Sequence, residues 1–286
     1  MSIVSISGKL NVGKDTVGKI WQIIDGSPHF TTKGIMEFLN KPYDSRFEIK
    51  KWADSLKDMV CILLGCTRGQ LEDREFKEKE LGGEWWYWEN SFGKRINYLD
   101  NTTYGSASKE RLTSRNLIKL TPRLLMQILG TEAGRNLIHP NIWVNVLMSR
   151  YQYKIGFAHG NYWCKCGECG KQFSGDKRAV RCETCSMIYP KWIITDTRFP
   201  NELKAVKDRG GITIRVDRHI YKSTIEKIKP YSDYLNYGIP IPIEHKSETS
   251  LDNATFDYYI NNNGSLEELI EEVVKIYQDV KKNKLL

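Results

Sequence analysis

The sequence predicts an α/β fold, a three-layer core with a parallel sheet. Short β-branched runs alternate with amphipathic helical stretches. A glycine loop joins the first such run to the first helix, and a compact cysteine cluster interrupts the alternation late in the chain.

Residues 2–7 (SIVSIS) read as a buried strand, and from Lys14 the pattern turns helical, with Val17, Ile20, Trp21 and Ile24 at helical spacing. A second amphipathic helix is expected over 47–64, with Ile49, Trp52, Leu56, Met59, Val60 and Leu63 on one side. Residues 67–116, rich in charge and aromatics, read as irregular and mobile. Thr121-Pro122 starts a helix with a hydroxyl cap and proline at its first position; its apolar face is Leu124, Leu125, Ile128 and Leu129, up to Gly130. Further helices are expected at 141–153, 200–209 and 265–281, and strands at 192–195, 212–216 and 257–260. The organisation is a single core over 1–286, carrying a mostly helical insertion at 45–150 and a small module at 160–189.

Of the 286 residues, 40% are apolar and 27% charged, which excludes a disordered polymer. Lys plus Arg is 43 against 35 Asp plus Glu, net +8, a balance that suits nucleotides, polyphosphates or nucleic acid, or else a basic surface with no single partner. No apolar run approaches the roughly 18 residues needed to cross a bilayer, so no membrane partner is expected. The N-terminal MSIVSISGK lacks a signal-peptide layout, and a cytoplasmic protein is expected.

Gly8-Lys9-Leu10-Asn11-Val12-Gly13-Lys14-Asp15-Thr16 fits the phosphate-binding pattern G-x-x-x-x-G-K between a strand and a helix. Gly8, Asn11 and Gly13 shape a loop whose backbone N–H groups cradle phosphates, the helix N-terminus adds its dipole, and Lys14 reaches the transferring phosphates. Asp15 stands where Ser or Thr usually holds Mg2+; it is expected to bind Mg2+ directly or through water, with Thr16 donating to an inner phosphate. The core is therefore expected to be P-loop NTPase-like, with ATP and Mg2+ as ligands.

Cys166-x2-Cys169 and Cys182-x2-Cys185, twelve residues apart, form a zinc signature; four thiolates leave no open position, so a structural Zn2+ is expected. Cys164 is the spare and is able to replace Cys166 in another register. Lys165, Lys171, Lys177, Arg178 and Arg181 make this ribbon basic, which keeps nucleic acid open as a secondary partner.

Several stretches together resemble the deoxynucleoside monophosphate kinases of tailed phages, a branch of the P-loop nucleoside monophosphate kinases. They are GKDT at 13–16, WADSLKDMVCILLGCTR at 52–68, TPRLLMQILGTEAGRNLIHPNIWVN at 121–145, WIITDTRFPNELKAVKDRGGITIRVDR at 192–218, HKSE at 245–248 and FDYYINNNGSLEELI at 256–270. The resemblance implies transfer from ATP with Mg2+ to a deoxynucleoside monophosphate, in the host cytoplasm if phage-encoded, and leaves the base and a homodimer open. It also implies that Asp54 and Lys57 reach the acceptor, that Thr131 and Arg135 belong to the acceptor site, and that the loop around Asn262 lies near the adenine.

From the residues themselves, Arg123 and Gln127 lie about 40° apart around one helix. They offer a guanidinium for the acceptor phosphate and an amide for a base edge, or a plain polar face. Asp196 ends an apolar strand, where P-loop enzymes hold the magnesium shell, and Arg198 follows as the candidate for charge stabilisation at the transferring phosphate. Ion-pair partners within the fold are the alternative explanation for both residues. Two rival functions stand beside the deoxynucleotide kinase: a P-loop kinase acting on a coenzyme precursor, and a nucleic-acid-binding NTPase using its ribbon.

Overall fold

A computed structural model describes residues 3–27, 31–90, 95–97, 115–152, 154–155, 160–179, 181–182, 187–218 and 249–283. The chain opens with β1 (Ile3–Ser7), α1 (Lys14–Gly26), α2 (Thr32–Phe38) and β2 (Phe47–Lys50). Helices α3 (Asp54–Leu64), α4 (Arg68–Glu72) and α5 (Arg74–Glu78) follow, then β3 (Tyr87–Asn90), β4 (Arg95–Asn97) and β5 (Arg115–Ile118). Next come α6 (Pro122–Gln127), a wider π-type continuation over Ile128–Ile138, and α7 (Ile142–Met148). Four short strands, β6 (Lys154–Ile155), β7 (Tyr162–Lys165), β8 (Gln172–Gly175) and β9 (Met187–Ile188), precede β10 (Lys191–Thr197). The chain closes with α8 (Pro200–Lys207), β11 (Ile212–Asp217), β12 (Tyr258–Asn261) and α9 (Leu266–Lys282).

Two compact units emerge: one draws on Met1–Trp52, Val144–His219 and Glu244–Leu286, the other centres on Ala53–Trp143. The first holds a five-stranded sheet, order β12-β11-β1-β10-β2, with every pairing parallel. All five residues of β1 are buried, as a strand covered on both faces must be. Its alternation sends Val4 and Ile6 to one layer, with Trp21 of α1 and Ile270, Val273 and Tyr277 of α9. Ile3 goes to the other, with Val144, Leu147 and Val206 of α7 and α8. The rings of Trp21 and Tyr277 meet edge-to-face at 5.3 Å. Helix α9 starts on a capping box, Ser265 with Glu268.

The second unit packs Leu56, Val60, Leu71, Leu120, Leu125 and Trp143 into its own core. It also carries an antiparallel sheet, order β4-β3-β5. In the first unit's late segment, β7 and β8 form an antiparallel hairpin, and β6 pairs antiparallel with β9.

Four expectations change. The single helix over 47–64 is a strand followed by a helix: β2 pairs with β10 at the sheet edge, and Met59 and Leu63 are 46% and 48% exposed. Hydrogen bonding to a distant strand overrode the helical spacing of Ile49 and Trp52. The region 67–116 contains two α-helices, a 3-10 turn at Gly83–Trp85 and three strands among its described residues. The helix from Thr121 runs past Gly130, because its turns widen: His139 N–H donates to the Gly134 carbonyl, five residues back, at 2.9 Å, and the indole of Trp143 donates to the Gly130 carbonyl at 2.8 Å. The 141–153 helix is shorter, Ile142–Met148, and α2 had no counterpart in the sequence reading. No helix among the described residues is long and apolar enough to cross a membrane.

Candidate active site

The loop between β1 and α1 owes its path to two glycines. Gly8 has φ +152 and Gly13 φ +98; a Cβ on Gly8 would lie 2.3 Å from the Val216 carbonyl oxygen, and one on Gly13 would lie 2.6 Å from Asn262 Nδ2. Asn11 takes a left-handed φ of 61, which Asn tolerates better than most residues. Lys14 opens α1, is 9% exposed, and its Nζ donates to the Lys9 carbonyl. Thr16 follows, half-buried, in the first helical turn. The loop thus runs directly into the N-terminus of α1, with the Lys14 ammonium folded back to the loop's own carbonyl at Lys9.

Asn262 is 8% exposed and its amide donates to the Val12 carbonyl at 2.8 Å, so this side chain braces the loop from the end of β12. Its neighbours Asn261 and Asn263, with Lys9, Val12, Asp217, Arg218 and Tyr259, line an open cleft of about 490 Å³. The cleft sits at the carboxyl ends of parallel strands, where α/β sheets bind ligands.

Asp15 is held by residues that sequence spacing did not connect. Its Oδ1 accepts from the Thr195 hydroxyl at 2.6 Å and pairs with Lys51 Nζ at 3.0 Å. Partial burial raises the Asp15 pKa, but Thr195, Lys51 and Lys14 outweigh it and hold the carboxyl below the usual carboxylate range. The carboxylate is therefore ionised and 71% exposed beside the loop lysine. Asp196 uses one oxygen to accept from the Trp52 backbone N–H at 2.8 Å, while the Trp52 indole donates to Thr197 Oγ1 at 3.0 Å. Asp196 thus fixes the exit of β2. Arg198 is half-buried; its backbone N–H, like that of Phe199, donates to buried Glu202 at the start of α8.

In the second unit, three of the charged acceptor candidates pair within the fold. Asp54 pairs with Arg68 at 2.9 Å and Lys57 with Glu72 at 2.5 Å, and Arg123 pairs with Glu78. Burial pushes the Lys77 ammonium below its usual range, and Lys57 and Arg123 add to that against the pull of Glu72. Lys57 and Arg123 therefore both lie within electrostatic reach of Lys77, in a charged group where Glu72 and Glu78 supply counter-ions. Gln127, Thr131 and Arg135 are half-buried along α6 and its continuation. Arg68 ends the stretch 52–68, with no role implied for it, and Lys77 lies outside every stretch that carries the resemblance; the folded chain brings them to this group.

The sulfurs of Cys166, Cys169 and Cys182 lie within 4.8 Å of one another, with Cys169 and Cys182 at 3.7 Å. Backbone N–H groups of Cys169 and Cys182, aimed at Cys166, pull its thiol down to about 6, so it offers a thiolate at neutral pH. Cys185, the expected fourth ligand, lies outside the described residues. Cys164 turns elsewhere: its sulfur lies 3.6 Å from the Asp176 carbonyl.

No family model matches the chain. Over 168 residues it is 24% identical to the deoxynucleoside-5'-monophosphate kinase of Escherichia phage T5, an alignment that covers 51% of this chain and 60% of that protein. The chain thus spans less than two thirds of the curated relative it matches, and its likeness is to a nucleotide kinase.

Proposed function

We propose that this chain is an ATP-dependent kinase that transfers the terminal phosphate of ATP to a deoxynucleoside monophosphate, giving the diphosphate. The observation that carries the reading is the loop over Gly8–Lys14: glycine-shaped, between a buried parallel strand and a helix N-terminus, with a lysine folded across it. The distant likeness to a phage deoxynucleotide kinase supports the acceptor class.

In this reading Gly8, Asn11, Gly13 and Thr16 surround the ATP phosphates, and the cleft beside Asn261 and Asn263 receives the base and ribose. Asn262 supports that site by holding the loop. Lys14 and Arg198 neutralise charge at the transferring phosphate. Mg2+ delivered with the nucleotide would offset phosphate charge, and the donor set fits a hard cation: Asp15 is ionised and exposed, with Asp196 on a neighbouring strand end. Asp54, Lys57, Arg123, Gln127, Thr131 and Arg135 form the acceptor side, with Lys77 added to their cationic group. Because phosphoryl transfer needs positioning and charge neutralisation, no nucleophilic side chain is required. Zn2+ fits the three gathered thiols and serves the fold of the late segment.

Arg123→Ala is expected to raise the KM for the acceptor at least about tenfold, the equivalent of roughly 1.5–3 kcal/mol for a charged hydrogen bond, with the ATP KM little changed. Steady-state kinetics with each substrate varied in turn measures this; equal effects on both would move the acceptor elsewhere.

A second reading, a nucleic-acid-stimulated NTPase, is favoured by Trp163, which is 81% exposed on β7 two residues from Lys165. ADP release across all deoxynucleoside and ribonucleoside monophosphates, compared with release on adding single-stranded DNA, tests the two. Acceptor-dependent release supports the kinase; DNA-dependent release without an acceptor supports the alternative.

A further inference from the structure

Resting on the kinase reading, we propose that Lys51 is a further phosphate-binding residue, a counter-ion parked on Asp15 that passes to the terminal phosphates when nucleotide and metal arrive. Lys51 directly follows β2, at the carboxyl end of a parallel strand, and its Nζ lies 3.0 Å from Asp15 Oδ1. The same oxygen accepts the Thr195 hydroxyl at 2.6 Å, which fixes the carboxylate from the sheet side whether or not Lys51 stays. The position of Lys51 is itself built. The next residue, Trp52, is 3% exposed and is pinned twice, by its backbone N–H to Asp196 and its indole to Thr197, whose hydroxyl also meets Ser5 at 2.7 Å.

An anchored backbone carrying a long flexible ammonium next to the loop lysine is suited to a charge that moves while its base does not. The need for movement follows from charge. A carboxylate beside incoming phosphates is repulsive unless a cation lies between them. While no nucleotide is bound, Lys51 supplies that cation; a divalent metal bound at Asp15 displaces it, and the phosphates of the nucleotide then offer it an anion.

This exchange has a signature that a merely structural lysine would not give. Lys51→Met is expected to bind Mn2+ more tightly, severalfold in the presence of ADP by electron paramagnetic resonance, because a competing charge is gone. The same variant is expected to bind ATP at least about tenfold more weakly by calorimetry in the absence of metal, because the cation between the Asp15 carboxylate and the incoming phosphates is gone. Lys51→Arg, which keeps the cation, is expected to restore most of the ATP affinity, and melting curves show whether each variant folds. Unchanged affinities for both ligands in folded Lys51→Met, or a parallel weakening of both, overturn the proposal. Lys14→Ala measured alongside separates the two claims. If it too binds ATP as the unaltered protein does, the phosphate-loop reading itself fails; if it loses ATP while Lys51→Met behaves normally, only the role of Lys51 is lost.

Discussion

Lys14→Ala is expected to lower kcat/KM for phosphoryl transfer by about a thousandfold or more while the protein stays folded. Lys14 is the ammonium that the loop between β1 and α1 presents, nearly buried and hydrogen-bonded to the Lys9 carbonyl. Without ligand the charge has that bond and the attraction of the Asp15 carboxylate, but these are weak compared with a triphosphate. Pre-organised charge at a transferring phosphate contributes on the order of a hundred- to a thousandfold per group and more where several act together. The folding cost should be small, because the variant loses charge-assisted contacts and also the burial of a charge, and these oppose each other. Lys14→Met keeps the stem and tests the charge alone. Kinetics and a thermal melt on the same preparation decide the matter; near-normal turnover by a folded variant removes the phosphate-loop assignment.

The double replacement Cys166→Ser with Cys182→Ser is expected to abolish zinc binding and open the segment 160–189 to protease. The short β7–β8 hairpin lacks the area to form a core, whereas structural zinc in small modules contributes about 10–16 kcal/mol of apparent binding free energy at pH 7. Losing two of three gathered thiols leaves too few ligands to hold the metal. Exposed Lys165, Lys171, Lys177 and Arg178 then become trypsin sites. The parallel sheet draws its core from elsewhere, so its melting transition should persist. Cys164→Ser is the control, expected to keep its zinc because that sulfur faces Asp176. Metal analysis of protein purified without added zinc checks both; one zinc per chain is expected, and a native protein that holds none contradicts the assignment.

What the sequence disclosed was what local spacing encodes. The strand, glycine loop and helix over residues 3–26 are contiguous, and their apolar periods are strong, as is that of α9. β2 was missed because FEIK is four residues long at a sheet edge, joined without a turn signal to a helix whose spacing it mimics. The widened turns over Ile128–Ile138 depend on Trp143 taking the Gly130 carbonyl, a contact no periodicity reports. The same limit applies at the site. Lys14, Asp15 and the paired cysteines stood out as motifs. Thr195 and Lys51 meet Asp15 across 180 and 36 residues, and Arg68 and Lys77 join their group through helix packing. The resemblance implies that the loop around Asn262 lies near the adenine; that its amide also braces the glycine loop is visible only in the fold.

The most direct measurement follows the label from γ-phosphate-labelled ATP in the presence of each deoxynucleoside monophosphate and Mg2+. The kinase reading requires the label to appear in a deoxynucleoside diphosphate, in step with ADP formation and lost in Lys14→Ala. Label found only in inorganic phosphate, at a rate indifferent to every monophosphate, would contradict it.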